Sequence, residues 1–161
     1  MKLFVGLGNP GKQYKDTRHN IGHQFIEILR NKELSNSKPA CRLGRFDINT
    51  GFMNEAGLSV QKIVHFYKID LNNFYLVHDD LDLPVGEYRI QFDRGPAGHH
   101  GVESVIGHLG SQAFNRIRIG IGKPPEFVDV ADFVLQKFTA SEKKIIDETI
   151  DKIVQELYNK S

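Results

Sequence analysis

Apolar residues recur along the chain in two rhythms. Lys2–Val5 and Asn73–Val77 are short apolar runs of the kind that form buried strands. Glu87–Phe92 and the alternating Arg116–Ile121 (RIRIGI) also read as strands, and Arg42–Asn49 has weaker strand character. Between them the period changes to that of a helix. Ile21, Phe25, Ile28 and Leu29 fall at i, i+4, i+7 and i+8, and Leu58, Val60, Ile63, Val64 and Tyr67 form a second stripe. Val102, Val105, Ile106 and Leu109 give a third, and Val128–Leu135 a short one. The last helix follows Thr139-Ala140-Ser141-Glu142, a capping-box pattern, and carries Ile145, Ile146, Ile150, Ile153, Val154 and Leu157.

Strands alternating with helices predict an α/β fold: a single-domain three-layer sandwich, with a twisted, mixed, mainly parallel sheet flanked by helices. The polar segment Lys32–Pro39 reads as a loop, so residues 1–161 are expected to form one domain. In such sheets ligands bind beyond the carboxyl ends of the strands. Three polar clusters sit at predicted strand ends or in the loops after them: Asn9 to His19, His78 to Asp82, and Gly95 to His100.

Composition narrows the classes only a little. Lys and Arg total 21 against 20 Asp and Glu, so net charge favours no partner, and any nucleic-acid contact must rest on a local patch. Lys12, Lys15, Arg18, Arg89, Arg94, Arg116, Arg118 and Lys123 lie near the expected rim and form a candidate patch for phosphates. The single cysteine, Cys41, has no internal disulfide partner, and no CxxC pair is present; both fit a reducing cytoplasm. No apolar run is long enough to span a membrane.

Gly6-x-Gly8-x-x-Gly11 matches the dinucleotide fingerprint in form, but Pro10 lacks an amide donor and the helical stripe begins only near Ile21. A structural turn presenting Asn9 is the better reading. His19 and His23 are spaced like half a zinc site, but Asn20 stands where the HExxH motif needs Glu, and no third ligand is evident; a histidine at a helix start can also be only a cap or a surface residue. No metal or cofactor is expected. Asp79, Asp80 and Asp82 read either as a solvated turn or as a source of one carboxylate that orients a histidine base. In Phe52-Met53-Asn54, the first two suit packing. Asn54 suits either a helix cap or an amide donor to an oxyanion. No serine lies in GxSxG, which favours attack by activated water over a covalent intermediate.

Five stretches in this order, GLGNPGKQYKDTRHNIG at 6–22, FMNEAGLSV at 52–60, HDDLDLPVG at 78–86, GPAGHHG at 95–101 and RIRIGIGKP at 116–124, make the chain resemble bacterial-type peptidyl-tRNA hydrolase from about Lys2 to Leu157. The resemblance implies a monomeric, cytoplasmic, cofactor-free hydrolase. It would cleave the ester between a peptide and the 3′ end of tRNA, recycling tRNA after abortive translation. On that basis His19 is the expected base and Asp79 its supporting carboxylate. Asn9 matches the position that separates blocked from free aminoacyl groups, and Asn54 one that orients substrate or water. Tyr14 and Phe52 match substrate contacts, and His99 lies in the loop lining the cleft. Arg118, with Arg89 second, resembles the clamp for the tRNA 5′ phosphate at the acceptor stem. The chain departs from the family at His100, where an Asn that holds substrate is usual, at Gln91, often cationic, and at Glu103, commonly Lys. It is also shorter between Gly22 and Met53. These departures keep open an RNA-binding protein without catalysis on the same scaffold, and GLGNPG leaves a small nucleotide-binding domain as a third reading.

Overall fold

The structure, a computed structural model, describes residues 1–35 and 43–161. Cys41 and the beginning of the weak strand pattern at Arg42 lie outside the described residues. Strands β1 (Leu3–Gly6), β2 (Arg45–Ile48), β3 (Phe74–Asp80), β4 (Tyr88–Phe92) and β5 (Asn115–Gly120) form one sheet in the order β2-β1-β3-β5-β4. Every neighbouring pair is parallel except β4 with β5.

Helices cover both faces. The helices are α1 (Ile21–Ser35), α2 (Ala56–Phe66), α3 (His100–Leu109), α4 (Val130–Val134) and α5 (Ala140–Asn159). Alternate strand residues point to opposite faces. Phe4, Val77, Ile117 and Ile119 therefore meet Ile21, Phe25 and Leu29 of α1 and Ile146, Ile150 and Ile153 of α5. Leu3, Val5, Phe74 and Leu76 meet Ala56, Val60 and Val64 of α2 and Val102 and Val105 of α3. The three-layer single-domain sandwich is thus the one that the periodicity predicts. No helix among the described residues is long and apolar enough to cross a membrane.

Two elements run further than their patterns suggest. α1 continues through Lys32, Glu33 and Ser35, where a loop is expected, because Lys32 pairs with Asp151 at 2.7 Å and Glu33 accepts the Tyr158 hydroxyl at 2.5 Å. β3 continues through His78, Asp79 and Asp80, and all three are buried rather than in a solvated turn. Asp79 and Asp80 have partners remote in sequence that replace water.

One close approach sets the position of the site. A Cβ on Gly22 would lie 2.4 Å from the Val77 carbonyl oxygen and 2.5 Å from the Leu7 nitrogen, and a Cβ on Gly6 would meet the Gly22 oxygen at 2.1 Å. Glycine at both positions lets the first turn of α1 rest directly on the ends of β1 and β3. The short 3-10 turn Arg18–Asn20, just ahead of α1, is thereby carried over the end of β3.

Candidate active site

His19, on that turn, and Asp79, on β3, meet with Nδ1 2.8 Å from Oδ2. The other oxygen, Oδ1, lies 2.8 Å from Nε2 of His99, at the end of the second glycine-rich loop. His99 caps α3 with its ring, Nδ1 accepting the Val102 N–H at 3.2 Å. That acceptance places the His99 proton on Nε2, so His99 donates to Asp79. A single buried carboxylate therefore receives two imidazole N–H groups. The two rings stand 5.1 Å apart.

This arrangement governs protonation. Burial alone would lower the His19 pKa, but the charge and hydrogen bond of Asp79 outweigh it and the net shift is upward from 6.5. Burial would raise Asp79. The charge that His19 can carry, with the hydrogen bonds from both imidazoles, overcomes that and holds its carboxyl below the usual carboxylate range. His78, edge-on to His99 at 5.0 Å, donates from Nδ1 to the Asp79 backbone oxygen at 2.8 Å. Its full burial, above all, pushes its pKa down to about 3, so it stays neutral.

His19, Asp79 and His99 present ligand atoms within 4.8 Å of one another, the spacing of a possible metal set. The bonding suits a hydrogen-bonded relay instead, because metal ligation by His99 Nε2 would require Nδ1 to give up the Val102 N–H it accepts. His23 takes no part. Its Nε2 donates to Asn49 Oδ1 at 2.8 Å, and its pKa is lowered, chiefly by burial.

Asn9 is held by three groups. Its N–H donates to Asn20 Oδ1 at 2.8 Å, its carbonyl accepts Asn20 Nδ2 at 2.9 Å, and its own Oδ1 accepts the Met53 N–H at 2.8 Å. The last bond orients the amide so that Nδ2 is the free end. Asn49 clamps Gly8 in the same way, accepting its N–H at 2.9 Å and donating to its carbonyl at 3.0 Å. The Leu7 N–H is taken by Val77. The glycine turn is therefore closed on itself and offers no row of free amides to a pyrophosphate. Asn20 and Asn49 were not singled out by the sequence, since a buried asparagine has no pattern that separates it from a surface one.

Of the remaining residues, Tyr14 and Phe52 meet edge to face, with ring centroids 6.4 Å apart. Asn54 lies in the short 3-10 turn Met53–Glu55 with an exposed side chain; it is not the cap of α2, a place held by Glu55. His100 is exposed, with Nδ1 3.4 Å from Glu103 Oε2. The cations divide sharply. Lys12, Lys15, Arg89, Arg94 and Lys123 are exposed, whereas Arg18, Arg116 and Arg118 are buried. Arg118, expected as the main clamp residue, donates from Nε to Asp80 Oδ2 at 2.7 Å and from Nη1 to Gln91 Oε1 at 2.5 Å. Arg89, its cross-strand neighbour, is the exposed member of the pair.

The whole arrangement has close counterparts. The family model described as Peptidyl-tRNA hydrolase matches residues 3–160. A peptidyl-tRNA hydrolase of Bacillus cytotoxicus is 42% identical over 176 residues, covering 100% of this chain and 95% of the relative. One from Geobacillus thermodenitrificans is 43% identical over 162 residues, covering 93% and 87%. The crystal structure of peptidyl-tRNA hydrolase from Acinetobacter baumannii superposes with a TM-score of 0.87 at 33% identity, over 98% of this chain and 86% of that one. With the family model, curated relatives and a solved structure agreeing over nearly its full length, the chain belongs to the peptidyl-tRNA hydrolases, enzymes that hydrolyse peptidyl-tRNA.

Proposed function

We propose that His19 is the general base of this hydrolysis and that water attacks the ester directly. The observation that carries the proposal is the His19 Nδ1 to Asp79 Oδ2 bond of 2.8 Å, which fixes the tautomer and leaves Nε2 to accept a proton. Water gives a proton to Nε2 as its oxygen bonds to the ester carbonyl. Asp79 stabilises the imidazolium. The tetrahedral intermediate then expels the 3′ oxygen of the tRNA, which takes the proton back from His19.

Asn54 and the free Nδ2 of Asn9 supply amide donors near the carbonyl, with Asn9 separating blocked from free aminoacyl groups. The Tyr14–Phe52 pair, His99 and His100 contact the substrate. Arg89 meets phosphate at the acceptor stem, with Arg118 as a fixed charge beneath it. The protein works as one domain over residues 1–161, as a cytoplasmic monomer without metal or cofactor.

The test is release of N-acetyl-amino acid from N-acetyl-aminoacyl-tRNA, beside free aminoacyl-tRNA and a His19→Ala variant. Cleavage of the blocked substrate alone, reduced about 10²- to 10⁴-fold in the variant with tRNA binding kept, supports the assignment. Equal turnover by His19→Ala rejects it. Binding of tRNA with no release by the unaltered protein would return the reading to an RNA binder.

A further inference from the structure

Arg116 is the largest fully buried side chain among the described residues, 1% exposed on β5. Among the described residues it forms no ion pair, and the Asp93 carboxylate acts on it only through its charge. Its Nη1 donates to the Gly95 carbonyl at 3.4 Å and its Nη2 to the Arg94 carbonyl, while the guanidinium lies over the Phe114 ring, 4.7 Å from the centroid. Burial, with Arg118 and Arg94 nearby, lowers its pKa to about 10, which leaves it charged near neutrality.

A buried guanidinium without a carboxylate is costly, and a hydrophobic side chain would serve the core better. What the fork grips is the backbone entering the second glycine-rich loop. Asp93, just ahead of that loop, is held by its N–H on the Phe114 carbonyl at 3.2 Å and by Gln112 Nε2 on its Oδ1 at 3.1 Å; past it the loop has few other ties among the described residues. Residues 93–95, 97 and 98 are exposed, and a Cβ built on Gly95 or Gly98 would have no neighbour within 4 Å. From Gly95 the chain turns tightly, the His99 N–H bonding the Pro96 carbonyl at 2.9 Å, with Ala97 and Gly98 at φ 47° and 82°. The next side chain is His99, on Asp79.

We propose that Arg116 is a positioning residue that acts through His99: its grip on the Arg94 and Gly95 carbonyls fixes the loop so that His99 Nε2 is seated on the Asp79 carboxylate. The proposal deepens the reading of His19 and Asp79 as the catalytic pair and rests on it.

The experiment compares the full chain with Arg116→Met, His99→Ala and both together. Thermal unfolding verifies that each variant is folded, turnover of N-acetyl-aminoacyl-tRNA is measured, and imidazole 15N spectra report the His99 tautomer. Expected are a kcat lower by about 100-fold in Arg116→Met with KM nearly unchanged, loss of the fixed Nε2–H pattern of His99, and no further fall when Arg116→Met is added to His99→Ala. An unchanged His99 spectrum, an unchanged kcat, or losses that multiply in the double variant would overturn it. If Arg116→Met does not fold, Arg116→Lys keeps the charge and loses the fork; the same pattern is expected, with a fall of about 10-fold. The spectra need no turnover, so a failure of His19 as base leaves the Arg116–His99 test standing.

Discussion

Asn20 and Asn9 are joined by a ring of two hydrogen bonds, Asn9 N–H to Oδ1 at 2.8 Å and Nδ2 to the Asn9 carbonyl at 2.9 Å. One side-chain amide here replaces a strand partner for the loop that carries Asn9. Asn20→Ala would leave a buried N–H and a buried carbonyl unpaired, at about 1–3 kcal/mol. Urea denaturation should show that loss. Turnover should fall while the pH profile holds its position, because His19 still sits on Asp79. A shifted profile would mean that Asn20 supports the histidine rather than Asn9.

The proton balance of His19 gives a second expectation. In the proposed role of general base His19 must be neutral, and Asp79 raises its pKa above 6.5, so kcat/KM should fall on the acid side with an apparent pKa above 6.5. Asp79→Asn removes the raising charge and leaves the burial, which moves that limb to lower pH while lowering turnover about 10²- to 10⁴-fold. Stability follows the same sign. The contribution of a raised pKa is fully present below the unfolded value and is lost as pH rises through the folded one. Relative to His19→Gln, the native chain should therefore gain more stability at about pH 5.5 than at about pH 8.5. Equal differences at both would contradict the upward shift.

Arg118 and Asp80 have side chains 10% and 8% exposed and lie 2.7 Å apart. Arg118→Met leaves Asp80 buried without its partner and should cost about 3–5 kcal/mol in urea unfolding. Adding Asp80→Asn, which keeps the Oδ1 acceptor for the Asp82 N–H, should restore most of that loss. Arg89→Ala should instead leave stability within about 0.5 kcal/mol and weaken tRNA binding with a smaller salt slope. If Arg118→Met were the variant with unchanged stability and a reduced salt slope, its guanidinium would be a phosphate contact after all.

Two glycines in helices make a controlled comparison. Gly22→Ala places a methyl 2.4 Å from the Val77 carbonyl oxygen, so α1 must lift from the strand ends. A loss of about 1–3 kcal/mol is expected, with a drop in kcat as the His19 turn moves. Gly107→Ala in α3 meets no neighbouring atom within 4 Å and should stabilise by about 0.5–1 kcal/mol through helix propensity alone. Similar effects at the two sites would remove the packing explanation.

The fold was readable because strands and helices announce themselves through local spacing: the stripe at Ile21, Phe25, Ile28 and Leu29 is α1, and Thr139 with Glu142 is the cap of α5. The reading stayed open where polarity and burial part company. The acidic run after Val77 admits either a solvated turn or a carboxylate that orients a histidine, and Asp79 and Asp80 are buried by His19, His99 and Arg118, partners 60, 20 and 38 positions away. The alternation of RIRIGI marks a strand but not what its arginines meet: Arg116 is roofed by a loop more than twenty positions upstream in the chain, and Arg118 is held by Asp80 and Gln91. Sequence spacing within one element cannot carry that information.

Glu142 has two tasks. Its Oε1 accepts the Thr139 N–H at 2.9 Å to complete the α5 cap, and the same oxygen receives Arg18 Nη2 at 2.8 Å, one residue before His19. Arg18 Nη1 also donates to the Lys137 carbonyl at 2.6 Å, and its backbone N–H donates to that of Gln136 at 2.9 Å. The turn bearing His19, the proposed base, is thus fastened by residues 136–142, later in chain order than Asn9, Asn54, Asp79 or His99. During synthesis, a nascent chain that has made every other part of the site still lacks the clasp for His19. The segment that fastens His19 is also the one that brings α5 onto its face of the sheet, so that turn gains its clasp and its covering layer together.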